Sequence, residues 1–179
     1  QDLDPHVDFN YHPANHHHRR LNLILYLNKV WDQSWGGALE LHSDPRLPEE
    51  ENRIVSVLPL FNRAVIFETT ENSWHGFRRI AVPADQAGVT RKSIALYYYT
   101  KIRPVAETAP DHSTVYVERP LPAHIKSGHT LSQEDAETIT RMITRRDAHL
   151  ARLYDEIQQN MATRQRTRQL LSPLFYLRR

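Results

Sequence analysis

The chain has 179 residues, of which 40% are hydrophobic and 25% are charged, a composition typical of a globular domain with its own core. The absence of cysteine excludes disulfides, thiolate zinc sites and cysteine nucleophiles, and the net charge of +2 gives no argument for nucleic-acid binding. No apolar run approaches the roughly 18–20 residues of a membrane span and no secretory signal is visible, so we expect a cytoplasmic protein without a membrane partner. The chain begins with Gln1 rather than Met, and we expect further residues to precede it.

The first strands of the chain follow closely on one another. Residues 6–9 predict a short strand. The polar, proline-containing residues 10–20 predict a loop, in which we interpret the adjacent histidines 16–18 as polar loop residues. Residues 21–27 predict a strong strand, with leucine at every second position. Since both faces of this strand carry apolar side chains, we expect both to be covered.

Short strands continue to residue 100 with no helix between them. They are predicted at residues 38–41, 55–60, 64–68, 73–80 and 92–100. Together with the two earlier strands, this spacing predicts a mainly β fold, a double-stranded β-helix (jelly roll). Because such a fold has about eight strands, we expect its first strand and its N-terminal helices to be missing from this chain.

The remaining residues differ in composition from this jelly-roll core of residues 1–103. Residues 104–130 contain several prolines and predict an extended surface arm. Residues 131–162 predict a long amphipathic helix of about 45 Å, with Ser132 as its N-cap and an apolar stripe for a sheet face or a second helix, as in a homodimer. Residues 163–179 form a basic tail with five arginines and no acid. An RNA or acidic partner for this tail is a weaker alternative, because basic chain ends are usually just solvated.

Two histidines and one aspartate form a candidate metal site. His6 and Asp8 are separated by one residue, and residues i and i+2 of a strand point to the same face, so both can bind one ion. His75, on the penultimate predicted strand, supplies a third ligand. This is the ligand set of non-haem Fe(II) oxygenases, which leaves metal positions open for substrate chemistry. The alternatives are a polar strand end for His6 and Asp8 and a buried, hydrogen-bonded histidine for His75.

Arg91 is the candidate residue for binding an organic acid. An arginine can hold a carboxylate through two parallel hydrogen bonds, as 2-oxoglutarate would require. Ser93 shares its strand face and could add a hydroxyl donor, and Tyr26 could add a phenol if its face of the strand points inward. Arg19 and Arg20 could line the mouth of the pocket and meet an anionic group of the substrate. The alternative for Arg91 is an ordinary surface arginine.

Several short motifs occur in an order that is more specific than any one of them. They are His6-Val7-Asp8, Leu25-Tyr26-Leu27-Asn28-Lys29, Trp31-Asp32, Gly36-Gly37-Ala38-Leu39, Phe61-Asn62-Arg63-Ala64-Val65-Ile66-Phe67, His75 and Arg91. In this order, residues 6–103 resemble the 2-oxoglutarate- and Fe(II)-dependent oxygenases, with the prolyl 4-hydroxylase-like branch as the nearest. Residues 120–160 also resemble the C-terminal extension of uncharacterised bacterial members.

The resemblance implies a role for each candidate residue. His6, Asp8 and His75 would be ligands of Fe(II), while Arg91 would bind the distal carboxylate of 2-oxoglutarate with help from Tyr26. The implied reaction is hydroxylation of an unactivated C–H bond with O₂, in which 2-oxoglutarate becomes succinate and CO₂, with ascorbate as a candidate reductant. The implied substrate is a prolyl residue or a small metabolite.

A non-catalytic interpretation of the same fold is the alternative. A jelly-roll binding module with the helix as an interaction arm would keep the architecture and lose the redox chemistry. The complete set of candidate ligands argues against this module, because a binding module does not need all of them.

Overall fold

The computed structural model describes the backbone of residues 1–176 and the side chains of residues 1–163. The chain divides into two compact units, Gln1–Arg119 and Pro120–Arg179. The first unit is built from β-strands, and the second contains one long helix. The predicted core ended at residue 103, whereas the first unit continues to Arg119.

The first unit contains nine strands within the described residues. In chain order they are β1 (Leu3–Val7), β2 (Tyr11–His12), β3 (His17–Tyr26), β4 (Leu39–His42), β5 (Ile54–Val57), β6 (Ala64–Glu68), β7 (His75–Phe77), β8 (Ser93–Thr100) and β9 (Val115–Tyr116). Short 3-10 helices lie at Gln33–Trp35, Ala84–Gln86 and Val105–Glu107. The strands form two antiparallel sheets, one in the order β5-β4-β7-β1-β9 and one in which β3 pairs with β2, β6 and β8. This architecture is the predicted mainly β jelly roll.

The two faces of β3 differ in burial. The face that carries Asn22 and Tyr26 turns toward the interior, where both side chains are buried. The opposite face, together with its neighbours on β6 and β8, carries apolar side chains that stay exposed: Leu21, Ile66, Ile94, Leu96 and Tyr98. The predicted alternation of β3 is therefore confirmed. The prediction that both faces are covered is wrong for the described part of the chain.

The residues predicted as a loop before β3 form a hairpin instead. Tyr11 pairs with His18 and His12 pairs with His17, so two of the three adjacent histidines lie on a strand. His16 occupies the turn with a φ of 54°. The polar composition of this segment reflects its position at the edge of the sheet, where β2 has a neighbour on one side only.

Part of the predicted extended arm completes the five-stranded sheet. β9 pairs with β1, with Tyr116 opposite His6 and Val115 opposite Val7. Arg119, at the end of this segment, donates a hydrogen bond of 2.9 Å to Glu40 on β4. The residues between β8 and Arg119 therefore belong to the first unit.

The strands β1 and β7 approach each other closely at Gly76. A Cβ built on Gly76 would lie 2.7 Å from the carbonyl oxygen of Leu3 and 3.0 Å from the carbonyl carbon and oxygen of Asp4, so only glycine fits at this position. β1 also contains an irregularity, because Leu3 pairs with Phe77 while His6 already pairs with His75. The result is that His6 lies directly opposite His75.

The second unit contains the helix α1, Gln133–Tyr176. It begins at the predicted N-cap, where the backbone N–H of Asp135 donates to Ser132 Oγ at 3.1 Å and the backbone N–H of Ser132 donates to the Asp135 carboxylate at 3.0 Å. The helix continues beyond its predicted end at residue 162 and includes much of the predicted basic tail, residues 163–179. The arginine side chains of that tail lie outside the described residues.

The apolar stripe of α1 is exposed in its central part. Its exposed members are Ile143, Leu150, Leu153 and Ile157. The homodimer expected through this stripe stays a prediction. Among the described residues, no helix has an apolar stretch long enough to cross a membrane.

Candidate metal centre

Three polar side chains of the first unit converge on one point. His6 lies opposite His75 across β1 and β7, and Asp8 follows the end of β1. The Nε2 atom of His6 is 3.9 Å from Asp8 Oδ1, and the Nε2 atom of His75 is 3.6 Å from Asp8 Oδ2. One ligand atom from each residue lies within 4.8 Å of the other two, so a single ion could contact all three. The structure thus brings the three predicted ligands together.

Both imidazole rings are oriented by the backbone. His6 Nδ1 lies 3.0 Å from the carbonyl oxygen of Asp4, and His75 Nδ1 lies 2.8 Å from that of Ser73. A carbonyl oxygen can only accept, so each Nδ1 carries the hydrogen and each Nε2 keeps its lone pair toward Asp8. Burial lowers the pKa of His6 and of His75, which favours the neutral imidazole that binds metals.

The Asp8 carboxylate has two further partners that the sequence did not reveal. Asn22 Nδ2 donates to Asp8 Oδ2 at 2.6 Å, and Arg19 Nη2 lies 3.2 Å from the same oxygen. Arg19 Nε also donates to Asn22 Oδ1 at 3.0 Å. Asn22 and Arg19 thus hold the same carboxylate oxygen that lies 3.6 Å from His75 Nε2.

A β-bulge explains why Arg19 was not recognised as a neighbour of Asp8. Simple alternation along β3 places Arg19 on the face of Leu21, opposite to Asn22. In the structure the register between β3 and β8 shifts between Arg19 and Leu21, which turns Arg19 to the interior face. Bulges re-aim side chains in this way and leave no reliable signal in a single sequence.

Neither arginine that was predicted at the mouth of the pocket offers a free charge there. Arg19 is only 2% exposed and pairs with Asp8, so its predicted position is wrong. Arg20 forms ion pairs with Glu68 and Glu107, so its charge is already compensated.

Arg91 lies just before β8 rather than on it. Its Nε donates to the carbonyl oxygen of Gly37 at 2.8 Å, and its Nη2 donates to Tyr26 Oη at 3.3 Å. The ring of Phe77 lies 4.5 Å from the guanidinium carbon. Because Phe77 follows His75 by two residues on β7, it shares the face of His75. Arg91 therefore faces the same interior space as the candidate metal ligands.

Tyr26 and Ser93 lie opposite each other across β3 and β8. Tyr26 is fully buried and points inward, as its predicted role requires. Burial raises the pKa of Tyr26, while the Arg91 guanidinium opposes this effect, so the phenol keeps its proton and can donate it to a carboxylate. The Ser93 side chain is exposed, and in the described part of the chain its hydroxyl forms no hydrogen bond to Arg91.

The residues present fit a non-haem Fe(II) centre. Two neutral imidazoles and one carboxylate form the ligand triad of such centres, which leaves positions for a chelating oxo acid and O₂. The two Nδ1–carbonyl hydrogen bonds are the outer-shell contacts expected of metal-binding histidines. The Arg91–Tyr26 pair adds donors for the second carboxylate of the oxo acid.

A second group of possible ligands lies in the second unit. His124 Nε2 and His129 Nε2 lie 2.7 and 2.9 Å from the two carboxylate oxygens of Asp135. The hydrogen bonds from His129, His124 and Ser132 hold the pKa of Asp135 well below its usual range. A carboxylate in the first turn also suits the positive end of the helix dipole, so this group acts as a helix cap. The two histidines therefore have a structural role here.

Comparisons with known proteins identify the class to which this fold and these side chains belong. The sequence profile of the 2OG-Fe(II) oxygenase superfamily matches residues 1–99, which is more than half of the chain. The chain therefore belongs to this superfamily of 2-oxoglutarate-dependent dioxygenases, whose metal is Fe(II) and whose co-substrate is 2-oxoglutarate. The resemblance noted in the sequence is thereby confirmed.

Two relatives of the chain carry the name of prolyl hydroxylases. The chain is 29% identical over 118 residues to prolyl 3-hydroxylase OGFOD1 of Mus musculus, covering 65% of this chain and 20% of that protein. It is 33% identical over 103 residues to prolyl 3,4-dihydroxylase OGFOD1 of Ostreococcus tauri, covering 54% of this chain and 19% of that protein. The chain thus spans about a fifth of the length of these relatives.

Proposed function

We propose that this chain is the catalytic core of a prolyl hydroxylase that holds Fe(II) through His6, Asp8 and His75. The observation that carries the proposal is the convergence of two Nε2 atoms and one carboxylate, with each Nδ1 fixed by a backbone carbonyl. A buried histidine that served packing alone would not need its Nε2 turned toward an aspartate. Bound Fe(II) would supply the activation of O₂ that couples decarboxylation of 2-oxoglutarate to hydroxylation of a C–H bond.

Arg91 and Tyr26 are proposed to bind the distal carboxylate of 2-oxoglutarate. Two of the guanidinium nitrogens of Arg91 are already fixed, by Gly37 and by Tyr26. Its Nη1 forms no hydrogen bond within the described part of the chain and is therefore available to the ligand. A buried carboxylate left unpaired would cost several kcal/mol, and these donors remove that cost.

A prolyl side chain suits the aromatic walls beside the metal ligands. The ring of Tyr116 stacks on His6 at 5.2 Å, and the ring of Phe67 lies 4.7 Å from that of His75. Aromatic faces of this kind can pack against an apolar pyrrolidine ring and exclude water from the reacting C–H bond. The names of the two curated relatives point to the same substrate class.

The test is Fe(II)-dependent turnover with defined substrates. The chain would be incubated with Fe(II), 2-oxoglutarate, ascorbate and proline-containing peptides, with alanine-substituted peptides and free proline as the comparison. We expect succinate together with a gain of one oxygen atom on the proline peptides. His75→Ala should abolish both products, while His149→Ala, on α1, should leave them unchanged. Succinate formation with free proline alone would assign a small metabolite instead.

The competing hypothesis, a non-catalytic jelly-roll module, makes a different prediction for the metal. A module of this kind would bind no stoichiometric divalent ion and no 2-oxoglutarate. Metal analysis of the intact chain after reconstitution therefore separates the two hypotheses before any substrate is known.

A further inference from the structure

Arg19 is a buried cation in contact with a proposed metal ligand. Its Nη2 lies 3.2 Å from Asp8 Oδ2, and the residue is 2% exposed. The rings of Phe9 and Tyr97 lie 4.7 and 4.1 Å from its guanidinium carbon. A buried charge is costly unless it is paired and packed in this manner, and the aromatic contacts add cation–π stabilisation.

Asn22 links Arg19 to Asp8 in a fixed direction. Arg19 has only donors, so the oxygen of the Asn22 amide must accept from its Nε, at 3.0 Å. The NH₂ group of the same amide then points to Asp8 Oδ2, at 2.6 Å. The three side chains form a closed set of contacts in which no amide flip is possible without losing both hydrogen bonds.

Both donors act on the same oxygen of Asp8. Oδ2 receives the contacts from Asn22 and Arg19 and lies 3.6 Å from His75 Nε2, while Oδ1 lies 3.9 Å from His6 Nε2. A carboxylate held through one oxygen cannot rotate freely, so both of its oxygens stay directed toward the imidazoles. The arrangement also balances the negative charge of Asp8 in a buried site before any metal is bound.

We propose that Arg19 is a positioning residue of the metal centre: directly and through Asn22, it holds the Asp8 carboxylate in place beside the two imidazoles. The inference rests on the metal centre of the proposed function. Arg19 is buried among Asp8, Asn22 and the rings of Phe9 and Tyr97, so it acts through Asp8 rather than on a substrate.

Binding of Mn(II), measured by the electron paramagnetic resonance signal of the free ion, tests the inference without activity. Loss of an outer-shell partner typically weakens metal binding by about 10- to 100-fold. We expect a loss of this size in Arg19→Gln. Arg19→Lys should also bind more weakly, because a single ammonium keeps the charge but cannot bridge Asp8 and Asn22. Asn22→Ser should weaken binding as well.

The matched control is Arg20→Gln, which removes the neighbouring arginine, whose partners are Glu68 and Glu107. It should bind Mn(II) within about twofold of the native chain. A merely structural Arg19 would lower the melting temperature of Arg19→Gln and leave the Mn(II) affinity of the folded protein unchanged, which would overturn the inference. If Arg19→Gln does not fold, Arg19→Lys and Asn22→Ser decide the question by the same criterion.

The native chain separates this inference from the function on which it rests. If the native chain binds Mn(II) and the Arg19 and Asn22 variants bind it equally well, only the positioning role fails. If the native chain binds no Mn(II), the metal centre itself is wrong, and the inference is overturned with it. In the double variant Arg19→Gln/Asn22→Ser, the loss of Mn(II)-binding free energy should be smaller than the sum of the losses in the two single variants. The reason is that both residues act on one oxygen.

Discussion

His6 and His75 face each other across two antiparallel strands, with ring centroids 4.2 Å apart, and each directs its Nδ1 to the carbonyl oxygen two residues earlier in the chain. Both rings are therefore oriented by the same kind of hydrogen bond. Because each acceptor is a backbone carbonyl, the orientation of the rings depends on the strands being close and correctly paired. The geometry of the metal centre is thus tied to the β1–β7 pair.

The absence of a side chain at Gly76 lets β1 and β7 pair closely, and Gly76→Ala should disturb this pairing. The new Cβ would lie 2.7 Å from the carbonyl oxygen of Leu3, so β1 must move away from β7. We expect a loss of about 1–3 kcal/mol in the free energy of unfolding, measured in urea, together with weaker Mn(II) binding. Gly88→Ala is the control, since nothing lies within 4 Å of its Cβ position. Unchanged stability and metal affinity in Gly76→Ala would show that the strands tolerate separation.

Arg91→Lys should weaken 2-oxoglutarate binding while leaving the metal ligands intact. Lysine keeps the positive charge but loses the planar fork and the hydrogen bond to the Gly37 carbonyl. Loss of charge-assisted hydrogen bonds worth about 1.5–3 kcal/mol corresponds to a roughly 10- to 100-fold rise in the dissociation constant. Calorimetric titration of Mn(II)-loaded protein with 2-oxoglutarate measures this dissociation constant.

The control for this substitution is Lys92→Ala, the neighbouring residue with an exposed side chain. It should bind 2-oxoglutarate like the native chain. Equal affinity in Arg91→Lys and the native chain would mean that another residue holds the distal carboxylate.

The sequence predicts which face of a strand a side chain occupies where the strand alternates regularly. It does not predict the face where the strand is irregular. Tyr26 and Asn22 share the buried face of β3, because the strand alternates regularly from Leu21 to its end and period-two patterning sets which side chains share a face. Arg19 was misplaced because a bulge lies just before this regular stretch. A bulge is decided by cross-strand packing, which one sequence does not contain.

Short edge strands were the second kind of feature that the sequence did not reveal. β2 and β9 have two residues each, too few for a pattern to emerge from polar or proline-containing surroundings. They are held by tertiary pairing with β3 and β1 rather than by their own propensity. The residues that β9 brings to the centre, above all Tyr116, were therefore unforeseen.

Glu40 should make the first unit sensitive to acid. Burial alone would raise its pKa, but the nearby His42 and the hydrogen bonds from Arg78 and Arg119 outweigh this and lower the pKa from 4.5 to about 2. A group with a lowered folded-state pKa stabilises the fold above its unfolded pKa and loses that contribution as pH falls. The stabilisation, on the order of 2–3 kcal/mol, should therefore disappear between about pH 4.5 and pH 2.

Urea unfolding of the native chain and of Glu40→Gln across this pH range measures the effect. The difference in unfolding free energy between the two proteins should be largest above about pH 4.5 and shrink toward pH 2. Glu49→Gln, which changes an exposed partner of Arg78, serves as the control. A native-to-variant difference that does not change with pH would contradict the assigned ionisation of Glu40.

The central claim is that one Fe(II) is held jointly by His6, Asp8 and His75. Anomalous diffraction at the iron edge, from crystals of the chain reconstituted with Fe(II) under anaerobic conditions, tests it most directly. We predict one peak within coordination distance of the two Nε2 atoms and the Asp8 carboxylate, and its loss in Asp8→Ala. A fully reconstituted crystal with no peak between these three side chains, or with its iron elsewhere, would contradict the account.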